Sequence, residues 1–159
     1  MELFKDKGIV KSEWLDYNGH MNVGYYGVAM DDMSNGYFEH LKIGEDYRTS
    51  TNNSYFTVES HITYQAEMLD AEEFEAVCGL LDFDAKRLHF FVALYKMDGT
   101  LSATAEWMHL HMDMDERKVA PFPEDRLAYF QEILDNERAI GIPAEVQKVV
   151  GKSIGIKRK

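Results

Sequence analysis

Asp16-Tyr17-Asn18-Gly19-His20-Met21-Asn22 runs straight into residues 23–41, VGYYGVAMDDMSNGYFEHL, and the reading of this stretch decides the fold. The first seven residues are turn formers. From there the apolar side chains Val23, Tyr26, Met30, Met33, Tyr37 and Leu41 recur every three or four residues. That period lines them up as one buried stripe of an amphipathic helix. Asn22 stands at its N-cap, where a side-chain oxygen accepts from an amide that has no partner within the helix. Gly44 stands where a helix commonly stops. Gly24, Gly27 and Gly36 each weaken such a helix by roughly 1 kcal/mol relative to alanine. A sheet wrapped tightly around the helix would account for them.

Working outward, residues 8–15 (GIVKSEWL) read as a short first strand. On the other side a polar loop, Thr49 to Ser54, gives way to period two: Phe56, Val58, Ser60, Ile62 and Tyr64 alternate with Thr57, Glu59, His61 and Thr63. Further strands are expected at Glu72–Phe83, Arg87–Tyr95 and Thr100–Met112. Residues 82–86 supply one turn, and Asp98-Gly99 supplies a hairpin. Tight turns between successive strands imply an antiparallel meander. After Pro121 a second helical pattern covers Pro123 to Arg138, with Leu127, Phe130, Ile133 and Leu134 on its apolar side. The tail from Gly151 to Lys159 is basic, and reads as strand-like or loose. One strand, a central helix and a run of antiparallel strands make the class α+β. At 159 residues the chain fits a single domain, 1–159, with a C-terminal helix and basic tail.

The formal net charge is −11 and the pI about 4.9. Such a surface repels nucleic-acid phosphates and anionic lipid, which argues against nucleic-acid and membrane partners. A cationic substrate portion would be attracted. Cys78 is the single cysteine, so there is no disulfide framework, and its apolar strand marks it as a packed core thiol. No apolar run approaches the ~20 residues needed to span a bilayer, and the start of the chain lacks a signal-peptide core. The expected location is cytoplasmic.

Asp16 to Asn22 lies between a strand and a helix start. Exposed N–H groups at a helix N-terminus can stabilise an oxyanion, and a carboxylate just upstream can activate water or attack directly. Thioester hydrolysis needs these two things. Asp-x-x-Gly clusters also make ordinary turns, so the residues alone leave both readings open. The string Asp16 to Tyr26 (DYNGHMNVGYY), however, resembles the signature of hot-dog acyl-CoA thioesterases of the 4-hydroxybenzoyl-CoA thioesterase type, and Val58 to Tyr64 (VESHITY) resembles that family's second strand. The resemblance implies a curved antiparallel sheet wrapped around the central helix. It also implies Asp16 as catalytic base or nucleophile, with the backbone N–H groups of Val23 and Gly24 polarising the carbonyl. Asn18 and His20 would shape the loop or contact substrate. Active sites of this family lie between subunits, which implies a homodimer or homotetramer in which Glu59, His61 or Tyr64 of a partner completes the pocket.

Residues 84–89, 120–123 and 151–156 resemble a narrower group, the betainyl-CoA thioesterases of carnitine catabolism. That implies an aromatic cage for a trimethylammonium group, with Tyr25, Phe56, Tyr64 and Trp107 as candidates and Glu59 as counter-charge. Asn22, beside the reaction centre, joins the substrate-binding candidates. Coenzyme A would enter as part of the substrate, with no separate cofactor, and Lys86, Arg87 or the terminal basic run would either meet its phosphates or stay solvated. His109, His111, Asp113 and Asp115 form the one cluster that suggests a metal, without a second pair to support it, so no metal is expected. The alternatives are a non-catalytic acyl-CoA-binding protein or a dehydratase-like relative. The latter would need a His paired with a carboxylate mid-helix, which Asp31, Asp32, Glu39 and His40 match poorly.

Overall fold

The computed structural model describes residues 2–158. Its strands are β1 (Phe4–Ile9), β2 (Asn53–Tyr64), β3 (Glu73–Phe83), β4 (Arg87–Lys96), β5 (Leu101–Asp113) and β6 (Lys118–Val119); its helices are α1 (Val23–His40), α2 (Glu45–Thr51), α3 (Glu124–Ile140) and α4 (Ala144–Gln147). All pairings are antiparallel in the order β1-β3-β4-β5-β2, with β6 beside β5. The sheet curls around α1. Tyr26, Ala29, Met30, Tyr37 and Phe38 of the helix are buried with Leu80, Leu88, Phe90, Val92, Ala105 and Trp107 of the strands. Of the stripe read from the sequence, Tyr26, Met30, Met33, Tyr37 and Leu41 pack inward, whereas Val23 at the helix start is exposed. This is the hot-dog architecture, a sheet wrapped around one helix.

The ends of α1 are set locally. Asn22 Oδ1 accepts from the Gly24 N–H at 3.0 Å, as the N-cap reading requires. The stop differs from expectation. Lys42 takes the left-handed conformation (φ 58), and the N–H groups of Lys42 and Ile43 bond back to the carbonyls of Glu39 and Phe38. This is a Schellman stop built on lysine, and Gly44 instead caps the start of α2. Close wrapping explains only one helix glycine. A Cβ on Gly36 would come 2.8 Å from Phe4 Cζ, whereas Gly27 meets nothing within 4 Å and Gly24 only the Asn22 cap.

Other differences have physical causes. The first strand lies at 4–9, not 8–15. Lys5, Asp6 and Lys7 disguise it, charges that suit the sheet's edge. Residues 12–14 form a 3-10 turn that buries Trp14. Part of the expected polar loop is α2, too short to show a helical period. The tail is neither a strand nor loose up to residue 158; Lys159 lies outside the described residues. Ile154 and Ile156 are buried against Met108 on the outer sheet face, and Arg158 makes paired bonds to Asp82 at 2.6 and 2.7 Å.

Two buried carboxylates tie the layers together. Glu106 of β5, 0% exposed, lies 2.9 Å from His89 Nε2 and 3.0 Å from His61 Nδ1, and accepts the Gly151 N–H at 2.7 Å. Burial pushes its carboxyl up, but these bonds outweigh it and hold it below the usual range. Glu137 of α3, 8% exposed, accepts from Tyr37 Oη at 3.0 Å and from the Leu80 N–H at 2.6 Å. It serves Leu80 where β3 has run past the end of β1. Here burial dominates and raises the carboxyl to about 7. Cys78 is buried, and burial pushes its thiol well up, as a packed thiol requires.

Candidate active site

The loop before α1 is closed by its own backbone. Asp16 N–H donates to the His20 carbonyl (2.8 Å), Gly19 N–H to the Asp16 carbonyl (3.0 Å) and Asn22 N–H to the Trp14 carbonyl (2.8 Å). Gly19 has φ +79, a conformation glycine adopts without strain. A second loop, between β2 and β3, lies alongside: Met21 N–H donates to the Met68 carbonyl, and His20 bridges to Leu69. The two loops and the helix N-terminus enclose an open cavity of about 360 Å³. Asp16, His20, Val23, Tyr26, Tyr64 and Glu67 line it.

Asp16 Oδ1 accepts the Asn18 N–H at 2.8 Å and the His20 N–H at 3.4 Å, the latter a weak bond. Oδ2 has no hydrogen bond among the described residues, so half of the carboxylate is held and half is available. The Gly24 N–H is spent on the Asn22 cap. The Val23 N–H, first of the helix, has no acceptor among the described residues and stands at the cavity wall. His20 Nδ1 sits 3.0 Å from Glu67 Oε2. Tyr26 and Tyr64 meet edge to face, centroids 5.3 Å apart, and Tyr26 Oη accepts the Met68 N–H.

Of the residues singled out from the sequence, the structure brings Asp16, His20, Val23 and Tyr64 to one cavity. Asn22 and Gly24 form its cap, and Asn18 is exposed on the loop. Tyr25 lies outside, stacked on Trp14. Glu59 and Phe56 are exposed along β2, away from the cavity. Trp107 is 7% exposed within the core, with Nε1 donating to Ser60 Oγ; its place is packing, in this chain taken alone. Sequence reasoning missed Glu67, which no local pattern marks, and assigned Tyr26 only to the core stripe. Lys86 and Arg87 lie at the β3–β4 turn, with Arg87 paired to Asp84. His111 is bonded through both ring nitrogens, to Tyr47 Oη and the Ala120 carbonyl. His109, stacked on Tyr55, is pushed by burial down to about 3. Among the described residues no three potential metal ligands come together, and no helix is long and apolar enough to cross a membrane.

Residues 10–134 match the thioesterase-like superfamily. The betainyl-CoA thioesterase of Pseudomonas aeruginosa is 32% identical over 143 residues, covering 89% of this chain and 90% of that protein. A Rhizobium L-carnitine dehydrogenase/betainyl-CoA thioesterase is 33% identical over 90% of this chain, which spans 29% of that longer protein. A Staphylococcus aureus protein solved in complex with CoA superposes with a TM-score of 0.83 at 30% identity, covering 98% of this chain and 96% of that one. The wrapped helix and these likenesses agree: the chain belongs to the thioesterase-like superfamily and is a hot-dog acyl-CoA thioesterase.

Proposed function

We propose that this thioesterase hydrolyses betainyl-CoA to betaine and CoA, with Asp16 as the chemical carboxylate. The observation that carries the role of Asp16 is its asymmetric bonding: Oδ1 is fixed by loop amides, and Oδ2 is unbonded at the cavity. Oδ2 would take a proton from water attacking the thioester carbon, with the C–S bond breaking to release CoA thiolate, which takes up the proton; or it would attack that carbon itself, expelling the thiolate and leaving a mixed anhydride that water then hydrolyses. Both routes consume one water and end in free acid and CoA thiol. The Val23 N–H, backed by the α1 dipole, would receive the developing oxyanion. Support for betaine as the acyl group comes from the names of the relatives and from a cavity that offers two carboxylates and two tyrosine rings.

The assembly is proposed as a homodimer or homotetramer joined along β2, a twelve-residue edge with Phe56, Val58 and Tyr64 exposed. The test of the chemistry is thiol release from a panel of acyl-CoAs. Asp16→Asn keeps a carbonyl oxygen for the Asn18 and His20 amides, so the loop persists while the base is lost. The expected result is a betainyl-CoA preference with kcat falling about 10³-fold in the variant. A variant within tenfold of the parent would remove Asp16 from the chemistry.

A further inference from the structure

The same cavity has a feature that thioester cleavage does not require: a second carboxylate. Glu67, from the loop after β2, lines it together with Asp16, and among the described residues no lysine or arginine does. Its Oε2 is 3.0 Å from His20 Nδ1, while its Oε1 has no partner among the described residues. The carboxylate is therefore anchored on one side and open on the other. Beside it stand Tyr64, half exposed, and Tyr26, whose ring is fixed by the bond its hydroxyl accepts from the Met68 N–H. A carboxylate next to aromatic faces is the pairing that holds a quaternary ammonium, which cannot donate a hydrogen bond and is bound only by charge and ring quadrupole.

We infer that Glu67 is the counter-charge for the cationic end of the acyl group, and that it sets specificity while Asp16 carries out the chemistry. This rests on the betainyl-CoA reading and assigns it a residue. Glu59, the counter-charge suggested by the sequence, lies on the exposed strand outside the cavity. Because Glu67 is 54% exposed and His20 46%, solvent screens the interaction and the effect is moderate.

The experiment compares betainyl-CoA with 3,3-dimethylbutyryl-CoA, in which a tert-butyl group replaces the trimethylammonium group. The two share shape and differ in charge, so the ratio of their kcat/KM values isolates the electrostatic part of recognition. The parent enzyme is expected to favour betainyl-CoA. Glu67→Gln is expected to lower that ratio about tenfold, mainly through the KM for betainyl-CoA, with turnover of the neutral ester kept within a few-fold. Glu73→Gln, which removes one charge from an exposed position on β3, controls for net charge and is expected to leave the ratio unchanged. An unchanged ratio in Glu67→Gln, or an equal loss on both esters, overturns the assignment while leaving the substrate reading intact. A parent enzyme with no preference for betainyl-CoA overturns both.

Discussion

Replacing Glu137 by glutamine tests how this fold tolerates a buried carboxyl. Burial raises the group from 4.5 to about 7 in the folded protein. An acid with a raised folded value binds more protons folded than unfolded between those two pH values, so stability falls as pH rises through that window and levels off above it. The whole interval corresponds to roughly 3 kcal/mol, of which about 2.5 falls between pH 5 and pH 8. Well below pH 4.5 this penalty is absent. Glutamine cannot ionise, yet its carbonyl oxygen can accept the Leu80 N–H and its amide can donate to Tyr37 Oη, so the local bonding is retained. Urea denaturation of parent and Glu137→Gln at several pH values isolates the group, because other carboxylates cancel in the difference. The variant should gain on the parent by about 2.5 kcal/mol between pH 5 and pH 8. A difference that does not vary with pH would refute the reasoning, since it would mean that Glu137 is ionised throughout.

Further outcomes can be checked separately. Glu106→Ala strips the acceptor from His89 and the Gly151 N–H; a loss of about 3 kcal/mol or more is expected, with faster tryptic cleavage at Lys152, and an unchanged melting temperature and cleavage rate would contradict it. Val58→Asp puts a charge on the exposed edge of β2 and should shift the protein to monomer by light scattering with loss of activity; an assembly of unchanged mass would move the contact elsewhere.

The sequence disclosed the elements whose side-chain period is long and consistent. α1 has eighteen residues and an apolar stripe buried from Tyr26 onward, and β2 keeps its alternation where Ile62 and Tyr64 meet the helix layer, while a bulge between Thr57 and Glu59 breaks it for the exposed Phe56 and Val58. The elements it concealed are defined by their neighbours. β1 is half charge and is a strand because β3 supplies its partners. α2 is seven residues with one buried side chain, Tyr47. In the site, Asp16 and Asn22 were legible because capping and loop closure are local. Glu67 was not, since it reaches the cavity only through a loop-to-loop contact some fifty residues apart in sequence. Trp107 and Glu59 stand apart from the cavity of this chain for a different reason. Their types suit a cationic pocket, but strand register put one in the core and the other along the exposed edge.

The close approach of Gly36 to Phe4 carries a consequence for how the chain can drift. With only 2.8 Å between the ring and the place a methyl group would occupy, a side chain cannot be added at 36 while the Phe4 ring stays where it is. An alanine at 36 requires the Phe4 ring to turn aside or a smaller side chain at 4, and the β1 edge would then rest on the helix through a different contact. Two sites thirty-two residues apart thus share one steric allowance, and among related chains a larger residue at 36 should come with a smaller one at 4.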